Sequence, residues 1–245
     1  MNFAGKAALI TGGAQGIGRA YANALLDIGM KVCICDILEE KALEYIESLP
    51  ETQKNNAIFQ KCDVSSFADL KNAFQRVKSE FGRLDIVINN AGVICEKNYM
   101  KEIEINFIAV IQGTQLAFEY MDINKGGHGG YVINTSSEAG LAPCFLAPVY
   151  SATKTGVVGY TKSLGTDYHY QKTGIKVNAI CPGSIDTALL RDFPSGSIDD
   201  EVSKEKMLLR KPIKPDEVGK ALLKLLADDK NGSLLRIDSD GLRYA

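Results

Sequence analysis

The sequence predicts an α/β fold: a single-domain, doubly wound sheet of about seven parallel strands with helices on both faces. Short apolar segments alternate with amphipathic helical segments along the whole chain, which is the pattern of βαβ units. No linker, low-complexity tract or change of composition divides the 245 residues. With 45% hydrophobic residues the chain can bury a large core without crosslinks, so we expect one domain over 1–245.

Seven segments have the length and apolar content of buried strands. The segment Lys31–Asp36 (KVCICD) is apolar on both faces, as expected for a strand in the middle of a parallel sheet. Proline and glycine at 182 and 183 end the sixth segment. The predicted strands are 6–11, 31–36, 57–61, 84–89, 131–135, 175–181 and 233–238.

Six segments between these strands carry apolar residues at three- and four-residue spacing, which is typical of helices packed on a sheet. Pro50 ends the second of them, and Ser65 or Ser66 could cap the third. The predicted helices are 15–29, 38–49, 67–81, 102–121, 149–172 and 216–228. The segment 184–215 has no such periodicity and is broken by glycine and proline, so we expect a substrate-binding loop or lid there.

Charge and composition exclude several classes of function. The net charge of −2 argues against nucleic acid or an anionic membrane as the main partner. The longest apolar runs are only a few residues, and the start of the chain does not read as a secretory signal, so we expect a cytoplasmic protein without a membrane span. Six scattered cysteines without C-x-x-C spacing, and only two histidines, favour reduced thiols over a disulfide framework or a metal site.

A glycine-rich turn follows the first predicted strand directly, in the sequence TGGAQGIG at 11–18. Small residues let the backbone turn sharply and approach a pyrophosphate, while the following helix offers unpaired N–H groups and the positive end of its dipole. A glycine triplet alone is weak evidence, but its place between a strand and a helix predicts a Rossmann-type dinucleotide site. The residues expected at the dinucleotide are Gly12, Gln15, Gly16, Ile17 and Gly18.

Asp36 ends the second predicted strand, about twenty residues downstream, where a carboxylate meets the adenosine ribose in such folds. A carboxylate accepts hydrogen bonds from the ribose hydroxyls and repels a 2′-phosphate. No basic residue follows at Ile37 or Leu38, and Gln15 rather than a basic residue lies in the glycine turn. The sequence therefore predicts NAD rather than NADP. The alternative is that Asp36 is an ordinary turn residue at the end of a strand.

Tyr150 and Lys154 are four residues apart near the start of a predicted helix, and so share one face. A nearby ammonium favours the phenolate and lowers a tyrosine pKa from about 10 toward the range useful for acid–base chemistry. Ser137 ends a predicted strand thirteen residues earlier, at the rim where ligands of open α/β sheets bind. The alternatives are a solvated helix pair and a capping serine, although Ser136 is the better candidate for the cap.

These motifs, in this order, resemble the short-chain dehydrogenase/reductase family over essentially the whole chain. Besides those above, they are Asp63-Val64, NNAGV at 89–93, Asn106, YSATK at 150–154, and Pro182-Gly183 with Thr187. The resemblance implies that Tyr150 is the catalytic acid/base and that Lys154 lowers its pKa and holds the nicotinamide ribose. It implies that Ser137 orients the substrate oxygen and that Asn106 supports a water-linked proton relay.

The resemblance also implies further cofactor contacts around the adenine, the ribose path and the nicotinamide carboxamide. These are Ile37, Cys62, Asp63, Val64, Asn90, Ala91, Gly92, Pro182, Gly183, Ile185 and Thr187. One branch of the family has a substrate-binding glutamine three residues before the catalytic tyrosine, and this sequence has Ala147 there. The implied activity is the NAD-dependent interconversion of a secondary alcohol and a ketone.

The expected lip of the site is apolar, which suits a lipophilic substrate. It comprises Ile94, Cys95, 139–146 with Leu141, Phe145 and Leu146, then Leu189, Leu190, Phe193, Met207, Leu208 and Leu209. Cations at Arg191, Lys204, Lys206 and Arg210 could meet a carboxylate or simply be solvated. An eicosanoid-like hydroxy acid, a steroid-like or isoprenoid alcohol and a short secondary alcohol all remain open. So does a cofactor-binding regulatory scaffold, while a nucleic-acid-binding protein has little support.

The helices predicted at 102–121 and 149–172 carry apolar residues on more than one face. Excess apolar surface on helices that flank a sheet favours a subunit interface, and relatives pair these helices. We therefore expect a homodimer or homotetramer.

Overall fold

The computed structural model describes residues 2–245 and contains one sheet of eight strands. The strands are β1 (Ala7–Thr11), β2 (Lys31–Asp36), β3 (Ala57–Lys61), β4 (Ile86–Asn89), β5 (Gly130–Thr135), β6 (Ile175–Pro182), β7 (Leu234–Asp238) and β8 (Gly241–Tyr244). Their order in the sheet is β3-β2-β1-β4-β5-β6-β7-β8, in which the first seven are parallel. The predicted parallel α/β sheet is therefore confirmed.

The last strand was not expected from the sequence. β8 pairs antiparallel with β7 through a tight turn, in which Asp238 lies opposite Gly241. Gly241 has a φ of 103°, which a glycine adopts without strain. A four-residue strand has too few positions to show a clear alternation, so the prediction of about seven strands missed this eighth one.

Helices cover both faces of the sheet. They are α1 (Gly16–Asp27), α2 (Glu39–Glu47), α3 (Glu51–Lys54), α4 (Phe67–Phe81), α5 (Tyr99–Ile103), α6 (Ala109–Met121), α7 (Pro148–Leu164), α8 (Asp167–Thr173), α9 (Ala188–Arg191), α10 (Phe193–Gly196), α11 (Asp200–Leu208) and α12 (Pro215–Asp228). A π-helical turn at Glu104–Ile108 joins α5 to α6.

Two of the predicted helices differ from the structure by more than two residues at an end or are interrupted. The helix predicted at 149–172 is wrong as one element, because it breaks into α7 and α8 at Gly165. A side chain on Gly165 would lie 2.2 Å from the Cα of Gly232, so this close backbone crossing requires glycine where the helix ends. The helix predicted at 102–121 begins earlier, at Tyr99, and contains the π-helical turn. The segment 184–215 is not structureless, since it contains three short helices, α9 to α11.

The core has two layers, one on each side of the sheet. Alternate residues of β1 point to opposite faces, as in any strand. Ala8 and Ile10 pack with residues of α1 and α12, whereas Ala7 and Leu9 pack with residues of α4 and α6. Burial on both faces holds the sheet rigid, so the carboxyl ends of its parallel strands form a fixed rim. Among residues 2–245, no helix combines the length and the apolar character needed to cross a bilayer.

Candidate active site

A cleft of about 790 Å³ lies along the carboxyl ends of the parallel strands. It is where ligands of open α/β sheets bind. The structure brings nearly all the predicted site residues together there, the exception being Asn106, which is fully buried beneath it. Those that line the cleft are Gly12, Gln15, Gly16, Ile17, Gly18, Asp36, Ile37, Cys62, Asp63, Val64, Asn90, Ala91, Gly92, Ser137, Tyr150, Lys154, Pro182, Gly183, Ile185 and Thr187.

The glycine turn between β1 and α1 is tightly folded. Gly12 has a φ of 64°, and a side chain on Gly18 would lie 2.0 Å from the carbonyl oxygen of Gly12. The side-chain amide of Asn90 donates to the carbonyl oxygens of Thr11 and Gly12, at 2.9 and 3.1 Å. Asn90 therefore fixes the turn in addition to lining the cleft.

The start of α1 is open to an anion. Gln15 precedes the helix in an extended conformation, and no side chain caps the first turn. The first N–H groups of a helix have no partner within the helix. This combination of free N–H groups, the helix dipole and a close glycine backbone can bind a phosphate group.

Asp36 lies beside this turn, at the end of β2, and is 7% exposed. One carboxylate oxygen accepts a hydrogen bond from the backbone N–H of Ala14, and the other accepts one from Leu38, both at 3.0 Å. The carboxylate is thus held in one orientation, with lone pairs left for a ligand in the cleft. Asp36 is a structural part of the turn as well as a candidate ribose ligand.

Ser137, Tyr150 and Lys154 meet at the other end of the cleft. Ser137 follows β5 and forms a side-chain hydrogen bond with Tyr150, near the start of α7. The ammonium of Lys154 lies 5.6 Å from the centroid of the tyrosine ring and donates to the carbonyl oxygen of Thr135 at 2.9 Å. Both Tyr150 and Lys154 are more than nine-tenths buried.

Burial dominates the acidity of both groups. It raises the pKa of Tyr150 to about 12, although the hydrogen bond with Ser137 acts in the opposite direction. It lowers the pKa of Lys154 to about 8, because the interior disfavours the ammonium. The Tyr-x-x-x-Lys spacing predicted a lowered tyrosine pKa, whereas in this structure desolvation of the phenolate raises it and outweighs the hydrogen bond with Ser137.

Ser137 takes the capping role that the sequence favoured for Ser136. Ser137, and not Ser136, caps the short turn that follows β5, since its hydroxyl accepts a hydrogen bond from Ala139 N–H at 3.2 Å. The hydroxyl of Ser136 donates instead to the backbone carbonyl of Lys154 at 2.9 Å. Ser137 thus combines a capping role with its place in the cleft.

Asn106 lies in the π-helical turn and is fully buried. Its side-chain oxygen accepts from the N–H of Val93, and its amide donates to the carbonyl oxygen of Val93, both at 2.8 Å. Asn106 therefore fixes the segment after β4 that forms one wall of the cleft. Its side chain has no exposed surface through which to contact a ligand directly.

Sequence reasoning missed two buried acids beneath Tyr150. Glu96 accepts hydrogen bonds from the N–H groups of Val149 and Tyr150, at 3.1 and 2.9 Å. Glu102 is 0% exposed, and burial raises its pKa to about 7. No local pattern marks either residue, because their partners are far away in the chain and meet them only in the folded state.

The substrate end of the cleft is largely apolar. Leu146, Ala147, Tyr150 and Phe193 form a buried cluster. Of the expected lip residues, those that line the cleft are Ile94, Ala139, Ala142, Pro143, Cys144, Phe145, Leu146, Leu189, Leu190, Phe193 and Leu209, with the cations Lys206 and Arg210.

Several expected lip residues lie elsewhere. Leu141 packs against the small cluster around Ala179, and Leu208 is 87% exposed. Arg191 pairs with Asp186 at 2.6 Å. Cys95, Lys204 and Met207 also fall outside the lining of the cleft. Spacing alone could not separate the inward from the outward residues of 184–215, because this segment has no regular period.

The sequence comparison decides the family. A family model described as short chain dehydrogenase matches residues 6–197. The chain belongs to the short-chain dehydrogenase/reductase family. The resemblance inferred from the motifs is thereby confirmed, and the cleft of this dehydrogenase/reductase lies where its motifs converge.

Two curated relatives match nearly the whole chain. Human 15-hydroxyprostaglandin dehydrogenase [NAD(+)] is 40% identical over 253 residues, covering 100% of this chain and 95% of its own. Three segments are similar in amino-acid sequence to this relative: AQGIGRA at 14–20, FGRLDIVINNAGV at 81–93 and NAICPG at 178–183. Alcohol dehydrogenase 1 of Ceratitis capitata is 33% identical over 238 residues, covering 96% of this chain and 92% of its own.

A solved structure has the same overall fold as this chain. Levodione reductase superposes with a TM-score of 0.83 at 28% sequence identity, covering 96% of this chain and 97% of its own. The family and the architecture of the chain are therefore consistent with each other.

Proposed function

We propose that this member of the family is an NAD-dependent oxidoreductase that interconverts a secondary alcohol and a ketone on a lipophilic substrate. The observation that supports it most strongly is the meeting of Ser137, Tyr150 and Lys154 in the cleft that also contains the glycine turn and Asp36. An acid–base group and a dinucleotide site in one cleft are what hydride transfer to a nicotinamide requires.

The residues that line the cleft suit each part of an NAD molecule. The uncapped start of α1 and the close backbone at Gly18 suit the pyrophosphate, and Asp36 suits the adenosine ribose. Lys154 would hold the nicotinamide ribose, and Ile185 and Thr187 the carboxamide. When bound, NAD supplies the hydride acceptor. The human relative carries NAD(+) in its name, which supports the same choice here.

Side chains of the protein would transfer the proton of the substrate hydroxyl. Ser137 would donate a hydrogen bond to the substrate oxygen, and Tyr150 would accept the hydroxyl proton during oxidation. The reactive combination is a Tyr150 phenolate beside a Lys154 ammonium. Since the tyrosine pKa is about 12 and the lysine pKa about 8, the population of this combination rises with pH and levels off near pH 8.

The side chains that line the substrate end of the cleft indicate the class of substrate. Apolar side chains such as Leu146 and Phe193 suit a hydrocarbon body, and Lys206 and Arg210 lie at the same cleft. The human relative is named for a 15-hydroxyprostaglandin, which favours a hydroxy lipid as the substrate here as well. Steroid, isoprenoid and short secondary alcohols are the alternatives, and the second relative is named an alcohol dehydrogenase.

We also propose a homo-oligomer, either a dimer or a tetramer. Tyr99 and Met100 in α5 are each 55% exposed, and Ile108 in the π-helical turn is 40% exposed. Large apolar side chains grouped on neighbouring turns favour contact with a second copy.

The test is NADH formation, followed by absorbance, with a panel of hydroxy lipids, steroids and short secondary alcohols. Tyr150→Phe should lower kcat by about 10² to 10⁴-fold while leaving the Kd for NAD nearly unchanged. Tyr160→Phe, on the same helix, is the matched control and should keep its activity. Full activity in Tyr150→Phe would contradict the assignment, and NAD binding without turnover of any alcohol would favour the regulatory scaffold.

A further inference from the structure

Glu102 in α5 is an incompletely partnered acid in the interior. Its side chain is 0% exposed, and one carboxylate oxygen accepts a hydrogen bond from the N–H of Cys95 at 3.1 Å. The other oxygen is buried and has no hydrogen-bond partner among the described residues. Buried polar atoms are nearly always paired, so an unpartnered carboxylate oxygen calls for an explanation.

Glu102 lies on the side of its helix that faces the reactive pair. Asn106, four residues later, shares that side. The side-chain oxygen of Asn106 and the ammonium nitrogen of Lys154 lie 3.2 and 3.5 Å from the point that a Cβ on Gly92 would occupy. The face that carries Glu102 and Asn106 is therefore packed against the region of Lys154.

In the part of the chain that the structure describes, residues 2–245, no carboxylate forms a direct ion pair with the buried ammonium of Lys154. Its ammonium donates to the carbonyl oxygen of Thr135 rather than to a carboxylate. Cys181 and Glu102 both raise the pKa of Lys154, but burial raises the pKa of the Cys181 thiol to about 12, so near pH 8 Glu102 is the one of the two that is charged. Glu102 also raises the pKa of Tyr150, and Lys154 lowers that of Glu102. In the low-dielectric interior such an interaction acts over several ångströms without contact.

We propose that Glu102 is a positioning residue that supplies the buried countercharge of Lys154 and so sets the pH range in which Lys154 and Tyr150 work. The proposal rests on the proposed function. The other ionisable groups around Glu102 are the neighbouring acid Glu96 and the thiol of Cys95. Glu96 is engaged by N–H groups of α7, which leaves Glu102 as the acid with a free oxygen.

A purely structural role predicts different behaviour. If Glu102 only held the segment at Cys95, glutamine would replace it without consequence, because its side-chain oxygen can still accept the Cys95 N–H. Glu102→Gln therefore removes the charge while keeping the shape and this hydrogen bond. Glu104→Gln makes the same change two residues later at an exposed position, and is the matched control.

The decisive experiment is the pH profile of kcat for alcohol oxidation in the wild type, Glu102→Gln and Glu104→Gln. Without the negative charge the pKa of Lys154 falls, so the rise of kcat should level off roughly one pH unit lower in Glu102→Gln. Glu104→Gln should follow the wild type. Identical profiles for Glu102→Gln and the wild type would overturn the proposal.

A second measurement does not depend on turnover. In protein labelled with ¹³C at the lysine side chains, the Lys154 resonance, assigned with Lys154→Met, should titrate at lower pH in Glu102→Gln than in the wild type. An unchanged midpoint would refute the role of Glu102. If no alcohol in the panel is oxidised, the proposed function fails, and this titration still decides whether Glu102 is the countercharge of Lys154.

Discussion

The carboxylate of Glu96 accepts a hydrogen bond from the backbone N–H of Tyr150 at 2.9 Å, across 54 positions of the chain. A second bond, from the N–H of Val149, completes the cap of α7, whose first residue, Pro148, has no N–H to offer. The start of the helix that carries Tyr150 is thus held by an acid from the wall of the cleft after β4.

Glu96→Ala should displace Tyr150 and lower kcat by about tenfold, since small misplacements of a catalytic group are costly. It should also lower the free energy of unfolding by about 1 kcal/mol, the usual value of a lost helix cap. The Kd for NAD should change little. Glu96→Gln, which keeps one acceptor oxygen, should lie between Glu96→Ala and the wild type, and full activity in Glu96→Ala would show that the cap does not position Tyr150.

Most of the secondary structure and many of the residues that line the cleft could be predicted from the sequence. Periodicity and turn residues predicted β2, β3 and α4 with their observed bounds, because these elements bury regular faces and end at clear signals. The glycine turn and the Tyr-x-x-x-Lys spacing located the cleft, because both features are local in the chain. Each is recognisable without knowing what it packs against.

Long-range relationships could not be predicted in the same way. The roles of Glu96 and Glu102 depend on neighbours brought together by the packing of α5 against α7. The division of 149–172 depends on the crossing of Gly165 with Gly232, which no local pattern encodes. The acidity of Tyr150 depends on its burial in the folded state, which the spacing between Tyr150 and Lys154 in the sequence does not reveal.

Asp36→Asn should reduce the discrimination against NADP. The neutral side chain no longer repels a 2′-phosphate, and it accepts ribose hydrogen bonds less strongly. We expect the Kd for NAD to rise by about tenfold, and the Kd for NADP to fall, as measured by titration calorimetry. Asp27→Asn, at the end of α1, is the control and should change neither value. A wild-type protein that binds NADP more tightly than NAD would contradict this role of Asp36.

Gly18→Ala should damage the dinucleotide turn and the fold together. The new methyl group would lie 2.0 Å from the carbonyl oxygen of Gly12, which is a backbone atom that cannot move aside cheaply. We expect a loss of about 1 to 3 kcal/mol in the free energy of unfolding, as for other overpacked sites, and a large loss of NAD affinity.

The control for this substitution is Gly159→Ala in α7. A side chain on Gly159 would meet nothing within 4 Å, so alanine should stabilise the helix by up to about 1 kcal/mol. Chemical denaturation of both variants gives the comparison. If Gly18→Ala were as stable as the wild type and still bound NAD, the close approach at the turn would not be required.

Glu102 should also make the stability of the protein depend on pH. Burial raises its pKa to about 7, above the ordinary value of about 4.3, so between these pH values the folded state binds more protons than the unfolded state. Its contribution to stability therefore falls as the pH rises through this window and stays low above it. Glu102→Gln removes this loss, because a neutral amide does not ionise.

The expected result is that Glu102→Gln and the wild type have similar thermal midpoints near pH 5, and that the variant is the more stable near pH 8. A pKa difference of this size corresponds to about 4 kcal/mol, or roughly 8 to 16 °C in a chain of this length, as an upper bound. Glu104→Gln should show no such trend. Equal midpoints for Glu102→Gln and the wild type at both pH values would mean that Glu102 ionises normally, since only a raised pKa couples its proton to folding.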